Sequence, residues 1–197
     1  MLGKFQLLIK KYETGVVSSF VHGLSIGDSA EFKHIPFNVK IQHPFKSPSG
    51  VPLKTLSMLC GGTGIAPMYQ ALQLMLSDPA DSTVVSLLYG NRSPADILLR
   101  SELDAMASVH PGRLTITHVV GTSADEPAPE GWTGEVGWID EEKIQKYCAS
   151  PAEDTMVFVC GVPGLYTALC GPRGEGSLPD GTTLAKLGYT KEMVSKF

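Results

Sequence analysis

The strongest constraint on the fold is an order that repeats along the chain, in which a short apolar run precedes a helix-length segment. Four apolar runs have the length of buried strands: residues 56–60, 83–89, 114–120 and 156–160. Helical segments accompany them at residues 67–76, 101–109 and 141–147, with another that begins near Pro163. This alternation predicts an α/β fold, a doubly wound parallel sheet with helices on both faces.

A different region precedes this repeat. Its segments are residues 4–10 with strand composition, 18–24 as a short helix, and 29–35 with alternating polar and apolar residues. A cluster of Pro, Ser and Gly at residues 45–52 marks the change. We therefore predict a β-rich part over residues 1–50 and an α/β domain over residues 51–197.

Composition excludes several classes of protein. The chain carries 16 Lys+Arg against 20 Asp+Glu, a formal charge of -4, so it lacks the cationic surface that nucleic-acid partners require. No apolar run approaches the roughly 18 residues that span a bilayer, and the N-terminus lacks the features of a signal peptide. The four cysteines show neither C-x-x-C pairs nor metal-ligand spacing, so we expect no metal site and a soluble, intracellular protein with reduced thiols.

The first predicted strand runs directly into a glycine-rich segment: Gly61, Gly62, Thr63 and Gly64. Glycines let backbone N–H groups approach an anion, and Pro67 suits the first helical position. The segment therefore predicts a helix N-terminus directed at a negative ligand, most simply a nucleotide pyrophosphate. A glycine turn without a ligand is the alternative, because no acidic residue closes the second strand and Pro67 replaces the last glycine of the dinucleotide fingerprint.

Further motifs follow in order along the chain: residues 87–92, residues 96–100, and Phe158-Val159-Cys160-Gly161 with Pro163. Together with residues 61–68 they resemble the signatures of the NADH:cytochrome b5 reductase family, which belongs to the ferredoxin-reductase-like flavoproteins. Residues 32–39 and 170–173 extend the likeness, so it covers nearly the whole chain.

The resemblance implies a Rossmann-like NAD(P)H-binding domain over residues 51–197, preceded by a partial antiparallel FAD-binding β-barrel over residues 1–50. It implies the cofactors NADH and FAD, hydride transfer between them, and electron transfer to a haem protein such as cytochrome b5. Cytoplasmic or mitochondrial location follows from the same resemblance. The alternative is a nucleotide-binding module with an incomplete flavin barrel, either catalytically silent or completed by another chain. A reductase component of an oxygenase or nitrate-reducing system would share these motifs.

The resemblance also assigns site residues. Those expected beside NAD(H) are Gly61, Gly62, Thr63, Gly64, Pro67, Tyr89, Gly90, Asn91, Cys160, Gly161 and Pro163. Cys160 is the candidate catalytic residue, whose thiol is expected to orient the nicotinamide. The alternative is a buried thiol with only a packing role. Those expected beside FAD are Gly15, Val16, Val17, Ser18, Ala66 and Phe197.

The flavin assignment meets two departures from the family pattern. The Arg-x-Tyr-Thr/Ser stretch expected upstream is missing, because residues 1–10 contain no arginine or tyrosine and the first arginine is Arg92. Ala66 stands where many relatives carry threonine.

The assignment of Ser18 to the flavin site also has an alternative, because a serine at this position is explained equally well as a helix N-cap. We therefore expect this chain alone to hold FAD weakly or not at all.

Overall fold

The computed structural model describes residues 3–33, 42–121 and 127–197. The chain divides into two compact units, Met1–Lys40 and Ile41–Phe197. The predicted boundary after residue 50 therefore falls inside the second unit. The reason is packing, since the ring of Phe45 lies 5.3 Å from that of Phe158 in the middle of the second unit.

The described part of the first unit, residues 3–33, contains one helix, α1 (Val16–Gly23), and no strand. The helix predicted at residues 18–24 thus begins two positions earlier. The predicted strand at residues 4–10 is absent, because a strand needs a hydrogen-bonded neighbour and the described part of this unit supplies none. The strand predicted at residues 29–35 lies partly outside the described residues, as does most of the motif at residues 32–39.

The second unit contains a six-stranded sheet in the order β4-β3-β2-β1-β5-β6, and every pairing is parallel. The strands are β1 (Thr55–Gly61), β2 (Val84–Asn91), β3 (Leu114–Val120), β4 (Glu135–Val136), β5 (Thr155–Cys160) and β6 (Val194–Lys196). The helices are α2 (Ile65–Ser77), α3 (Arg100–Val109), α4 (Glu141–Tyr147), α5 (Pro163–Leu169) and α6 (Thr183–Lys186). The predicted α/β class is confirmed.

Helices cover both faces of this sheet. On one face, a buried cluster joins strand residues such as Leu59 and Val157 to Ile144 of α4 and Leu169 of α5. Successive strand side chains point to opposite faces, so Cys60, Tyr89 and His118, which share one register row, point the other way. There Asp104 of α3 approaches the His118 ring, and α2 buries a stripe formed by Met68, Leu72 and Met75.

The parallel arrangement gathers the carboxyl ends of the strands at one edge of the sheet. Ligands of doubly wound sheets bind outside this edge. None of the helices in the three described ranges combines the length and the apolar composition that crossing a membrane requires.

Candidate functional site

The glycine segment forms a single 3-10 turn, Gly62–Gly64, between β1 and α2. Gly62 has φ of 53°, a left-handed conformation that favours glycine, and a Cβ placed on it would meet no atom within 4 Å. The helix begins at Ile65, so Pro67 is the third helical residue and the prediction that it is the first was wrong. It still lies in the first turn, where backbone N–H groups have no intrahelical acceptor and proline costs no hydrogen bond.

Gly64 brings this turn against the end of β5. A Cβ on Gly64 would overlap the Cys160 carbonyl oxygen and would lie 2.6 Å from the Cys160 carbonyl carbon. Gly161 is confined in a similar way, because its Cβ would lie 2.7 Å from the Leu165 side chain and 3.2 Å from the Gly61 nitrogen. The two motifs that sequence analysis singled out separately therefore touch through their backbones.

Tyr89 supports the turn from below. Its side chain is fully buried, and its hydroxyl donates a hydrogen bond of 2.9 Å to the Gly62 carbonyl oxygen. Burial raises the pKa of this phenol, so it stays protonated and able to donate. The Tyr89 ring therefore lies under the turn, and the expectation that Tyr89 is beside NAD(H) stays a prediction. Gly90 is half-buried and in register with Gly61.

Asn91, the last residue of β2, is only 9% exposed, and both polar atoms of its amide are buried. The amide lies near the Tyr89 hydroxyl, but neither its oxygen nor its nitrogen makes a hydrogen bond of normal geometry within the described residues. A buried unpaired amide costs free energy that a bound polar ligand would offset. The donor and acceptor of Asn91, together with the glycine turn, thus fit a nucleotide at this edge.

Cys160 ends β5 and pairs in register with Cys60 of β1. It is half-buried, and burial raises the pKa of its thiol. A nucleophilic cysteine needs a lowered pKa, so Cys160 is a neutral thiol suited to contact or orientation. Pro163 occupies the first position of α5, directly after this strand end. The structure therefore places Cys160, Gly161 and Pro163 along one short segment of the carboxyl edge.

The residues assigned to FAD lie in different units. Ala66 is in the first turn of α2, and Phe197 follows β6, where its nitrogen donates to the Val159 carbonyl oxygen at 3.0 Å and its ring lies 5.0 Å from that of Phe158. The Tyr166 hydroxyl donates to the Phe197 carbonyl oxygen. These contacts fix the C-terminal aromatic ring against the sheet.

Gly15, Val16, Val17 and Ser18 lie at the start of α1 in the first unit. Gly15 is the N-cap, so the interpretation of Ser18 as the N-cap was wrong. The Ser18 hydroxyl instead donates to the Gly15 carbonyl oxygen and accepts from the Tyr12 N–H, both at 3.2 Å. Ser18 therefore closes the loop that precedes the helix.

Two residues of the site escaped sequence analysis. A Cβ on Gly90 would lie 3.6 Å from Ile139, which is buried beside this strand end, and Leu165 confines Gly161 as described above. Neither residue carries a polar group or a motif, so only the tertiary packing identifies them. Trp132 has a structural contact, since its indole N–H donates to the Glu135 carbonyl oxygen at 3.0 Å.

Comparison with known proteins gives close relatives. NADH-cytochrome b5 reductase 2 of Scheffersomyces stipitis is 39% identical over 199 residues, which cover 99% of this chain and 62% of that protein. The protein of the same name from Meyerozyma guilliermondii is 40% identical over 200 residues, 99% of this chain and 63% of its own length. The chain therefore spans less than two thirds of the curated relatives that it matches.

Solved structures agree with these relatives. The cytochrome b5 reductase domain of Ulva prolifera nitrate reductase has a TM-score of 0.70 at 30% identity, over 93% of this chain and 66% of that chain. The CS-b5R domains of human Ncb5or, solved in the NAD+ form, have a TM-score of 0.63 at 26% identity, over 96% of this chain and 47% of that chain. The predicted resemblance to NADH:cytochrome b5 reductases is confirmed.

The model of the family described as "oxidoreductase NAD-binding domain" matches residues 58–171, a span that begins within β1 and ends just beyond α5. It includes both the glycine turn and the Cys160 segment. Because this span exceeds half of the chain, the chain belongs to the oxidoreductase NAD-binding domain family.

Proposed function

We propose that this chain binds NAD(H) along the carboxyl edge of the sheet, between the Gly62–Gly64 turn and Cys160. The observation that carries the proposal is the backbone contact of Gly64 with Cys160, which joins two strand ends into one site. Membership in an NAD-binding family supports it. The proposed activity is that of an NADH-dependent flavoprotein reductase of the cytochrome b5 reductase type.

In this proposal the residues at the carboxyl edge of the sheet contact different parts of the nucleotide. The N–H groups of Thr63 and Gly64, at the N-terminus of α2, bind the pyrophosphate, and the Asn91 amide supplies polar contacts nearby. Cys160 and Gly161 lie beside the nicotinamide, and the thiol orients the ring without forming a covalent bond. When bound, NADH supplies a hydride to FAD, from which single electrons pass to a haem protein. Ala66 and Phe197 of this unit would contact the flavin.

Replacement of Gly62 tests the nucleotide site. Asn is the best-tolerated side chain at a left-handed φ, so Gly62→Asn should fold while filling the space through which a ligand approaches the backbone. Calorimetry should show NADH affinity reduced by about tenfold or more, or about 1.4 kcal/mol. The matched control is Gly112→Asn, at φ of 79° with equally open surroundings at the opposite edge of the sheet. If Gly62→Asn bound NADH as tightly as Gly112→Asn, the proposed nucleotide site would be ruled out.

The proposed electron acceptor is a haem protein, and cytochrome b5 is the first candidate. The support is the name of the two relatives, each an NADH-cytochrome b5 reductase. The direct test is reduction of purified cytochrome b5 by this chain with NADH and added FAD. A rate that equals the rate without the chain would reject this part of the proposal.

A second candidate function is a nucleotide-binding module without flavin chemistry of its own. It is favoured by the absence of strands in residues 3–33 and of any arginine before Arg92, since charge-assisted contacts to a flavin phosphate contribute roughly 1.5–3 kcal/mol each. Equilibrium dialysis of the 197-residue chain against FAD separates the two. Stoichiometric binding at submicromolar FAD supports the reductase, and negligible occupancy supports the module.

A further inference from the structure

The Gly62 carbonyl group is held by two donors. The Tyr89 hydroxyl donates to its oxygen at 2.9 Å, and the N–H of Ile65 donates to the same oxygen at the start of α2. Both lone pairs of this oxygen are therefore used. The oxygen belongs to the peptide that joins Gly62 to Thr63, so its direction also sets the direction of the Thr63 N–H.

Peptide planarity makes this link rigid. In a trans peptide the C=O and N–H bonds point in opposite directions. Because the carbonyl oxygen points toward the Tyr89 hydroxyl, the Thr63 N–H points to the opposite side of the peptide, away from Tyr89. Gly62, at φ of 53° with open space around it, does not fix this orientation by sterics alone.

Tyr89 itself is out of reach of a ligand. Its side chain is fully buried, with its ring 6.0 Å from that of His118 on the same face of the sheet. Burial raises the pKa of the hydroxyl, which therefore remains protonated and able to donate at neutral pH. Any effect of Tyr89 on a ligand must pass through the turn.

We propose that Tyr89 is a positioning residue, whose hydroxyl directs the Thr63 N–H toward the diphosphate of a dinucleotide. This inference rests on the proposed nucleotide site. It explains why a tyrosine, and not a purely apolar residue, is buried one strand away from the glycine turn. Without the hydroxyl, only the Ile65 N–H holds this carbonyl oxygen, so the flipped form of the Gly62–Thr63 peptide, which presents a carbonyl oxygen to the phosphates, becomes more populated.

The test is Tyr89→Phe, which removes the hydroxyl and keeps the ring. We expect NAD+ affinity, measured by calorimetry, to fall by about threefold to tenfold, the effect of one buried neutral hydrogen bond. In the ligand-free protein, the Thr63 and Gly64 amide resonances should shift. The control is Tyr189→Phe, which removes a buried tyrosine hydroxyl that donates to the Ala149 carbonyl oxygen before β5, at the opposite edge. The melting temperature of Tyr189→Phe should fall by about as much as that of Tyr89→Phe, but its NAD+ affinity should equal that of the unmodified chain.

The outcomes separate this inference from the function on which it rests. If the unmodified chain binds no NAD+, the proposed site fails and the inference fails with it. If the unmodified chain binds NAD+ and Tyr89→Phe binds it as tightly, with unshifted Thr63 and Gly64 resonances, only the role of Tyr89 is overturned. If Tyr189→Phe lost as much NAD+ affinity as Tyr89→Phe, the role of Tyr89 would also be overturned. The loss of affinity would then result from lower stability and not from the orientation of the turn.

Discussion

The two edges of the parallel sheet are built from different chemistry. At the amino edge, the Asp81 carboxylate lies 3.1 Å from His43 Nε2 and 3.6 Å from an Arg113 nitrogen, and Lys54 lies 2.6 Å from Asp154. At the carboxyl edge, the strands end in glycines and in the Asn91 amide, which has no hydrogen bond of normal geometry among the described residues. The amino edge thus carries charged pairs, whereas the Asn91 amide at the carboxyl edge has no comparable partner among the described residues.

This difference predicts that residues at the amino edge contribute mainly to stability and residues at the carboxyl edge mainly to nucleotide binding. Paired charges that are partly buried tie loops to the sheet, whereas an unpaired amide and bare backbone cost stability unless a ligand contacts them. Substitutions at the amino edge should therefore change the free energy of unfolding and leave nucleotide affinity alone. Substitutions at the carboxyl edge should change affinity, and those that also remove a contact within the protein should change both.

Gly64→Ala should change both the free energy of unfolding and nucleotide affinity, and it has the largest expected effect. Its Cβ would overlap the Cys160 carbonyl group, and backbone cannot move aside as a flexible side chain can. We expect the free energy of unfolding in urea to fall by about 3 kcal/mol and NADH affinity to fall more than tenfold, because the turn or the β5 end must shift. Gly164→Ala, where a Cβ meets no atom within 4 Å, is the control and should stabilise α5 by about 0.5 kcal/mol. Equal stability of the two variants would contradict the close backbone contact.

Asp81→Asn should change stability without changing affinity. Asn keeps an acceptor for the Thr83 N–H, at 2.9 Å, but loses the charge opposite His43 and Arg113. The Asp81 side chain is only 11% exposed, so we expect a loss of about 1–3 kcal/mol in urea denaturation at pH 7. NADH affinity from calorimetry should stay within twofold. A parallel loss of affinity would show that the two edges are coupled.

The pH dependence of this loss follows from the pKa of Asp81. Burial raises it, but hydrogen bonds from Thr83 and His43 and the Arg113 charge outweigh burial, and the net pKa is lowered. A lowered folded-state pKa stabilises the protein above the unfolded value, near 3.9, and the contribution disappears as pH falls through the folded value. The stability gap between wild type and Asp81→Asn should therefore be constant near neutrality and shrink below about pH 4. A gap that grows on acidification would contradict the assignment.

Alkylation of cysteines compares the carboxyl edge with a position away from it. Burial raises the pKa of both Cys160 and Cys148, so iodoacetamide should modify each slowly at pH 7 and faster above about pH 8.5. Saturating NAD+ should slow modification of Cys160 by severalfold and leave Cys148 unchanged, as peptide mass spectrometry can measure. Equal protection of both cysteines would indicate a global effect of NAD+, and protection of neither would place the nicotinamide elsewhere.

The sequence predicted the four longest strands well because each is mostly apolar, and β1 and β5 in particular are buried along almost their whole length. Residues 114–120 coincide with β3, and the other three predicted strands lie within two residues of β1, β2 and β5. β4 and β6 escaped prediction because they have only two and three residues, and their strand state comes from pairing with β3 and β5. Short edge strands carry no pattern of their own.

The sequence predicted which strand ends meet at the carboxyl edge, but not how their residues contact one another. Order along the chain placed Gly64 and Cys160 at the ends of strands that pair, but no pattern showed that glycine is needed there to touch the protein's own backbone. Tyr89 illustrates the same limit, because strand position placed it at the edge and only the register and the hydrogen bond to Gly62 placed its ring beneath the turn. Which side of a turn a residue contacts is decided by tertiary packing.

Lys54→Met has the smallest expected effect. It tests whether an exposed ion pair at the amino edge contributes as much to stability as the buried pairs of Asp81. Lys54 is at the amino edge and lies 2.6 Å from Asp154, yet its side chain is 81% exposed, against 11% for Asp81. Water and salt screen an exposed pair, and the long lysine chain loses entropy when it is held in place, so such pairs contribute little. The urea midpoint of Lys54→Met should match that of wild type within error at 0.15 M salt, and NADH affinity should also be unchanged. A shift as large as that of Asp81→Asn would show that position at this edge, and not burial, determines the strength of an ion pair.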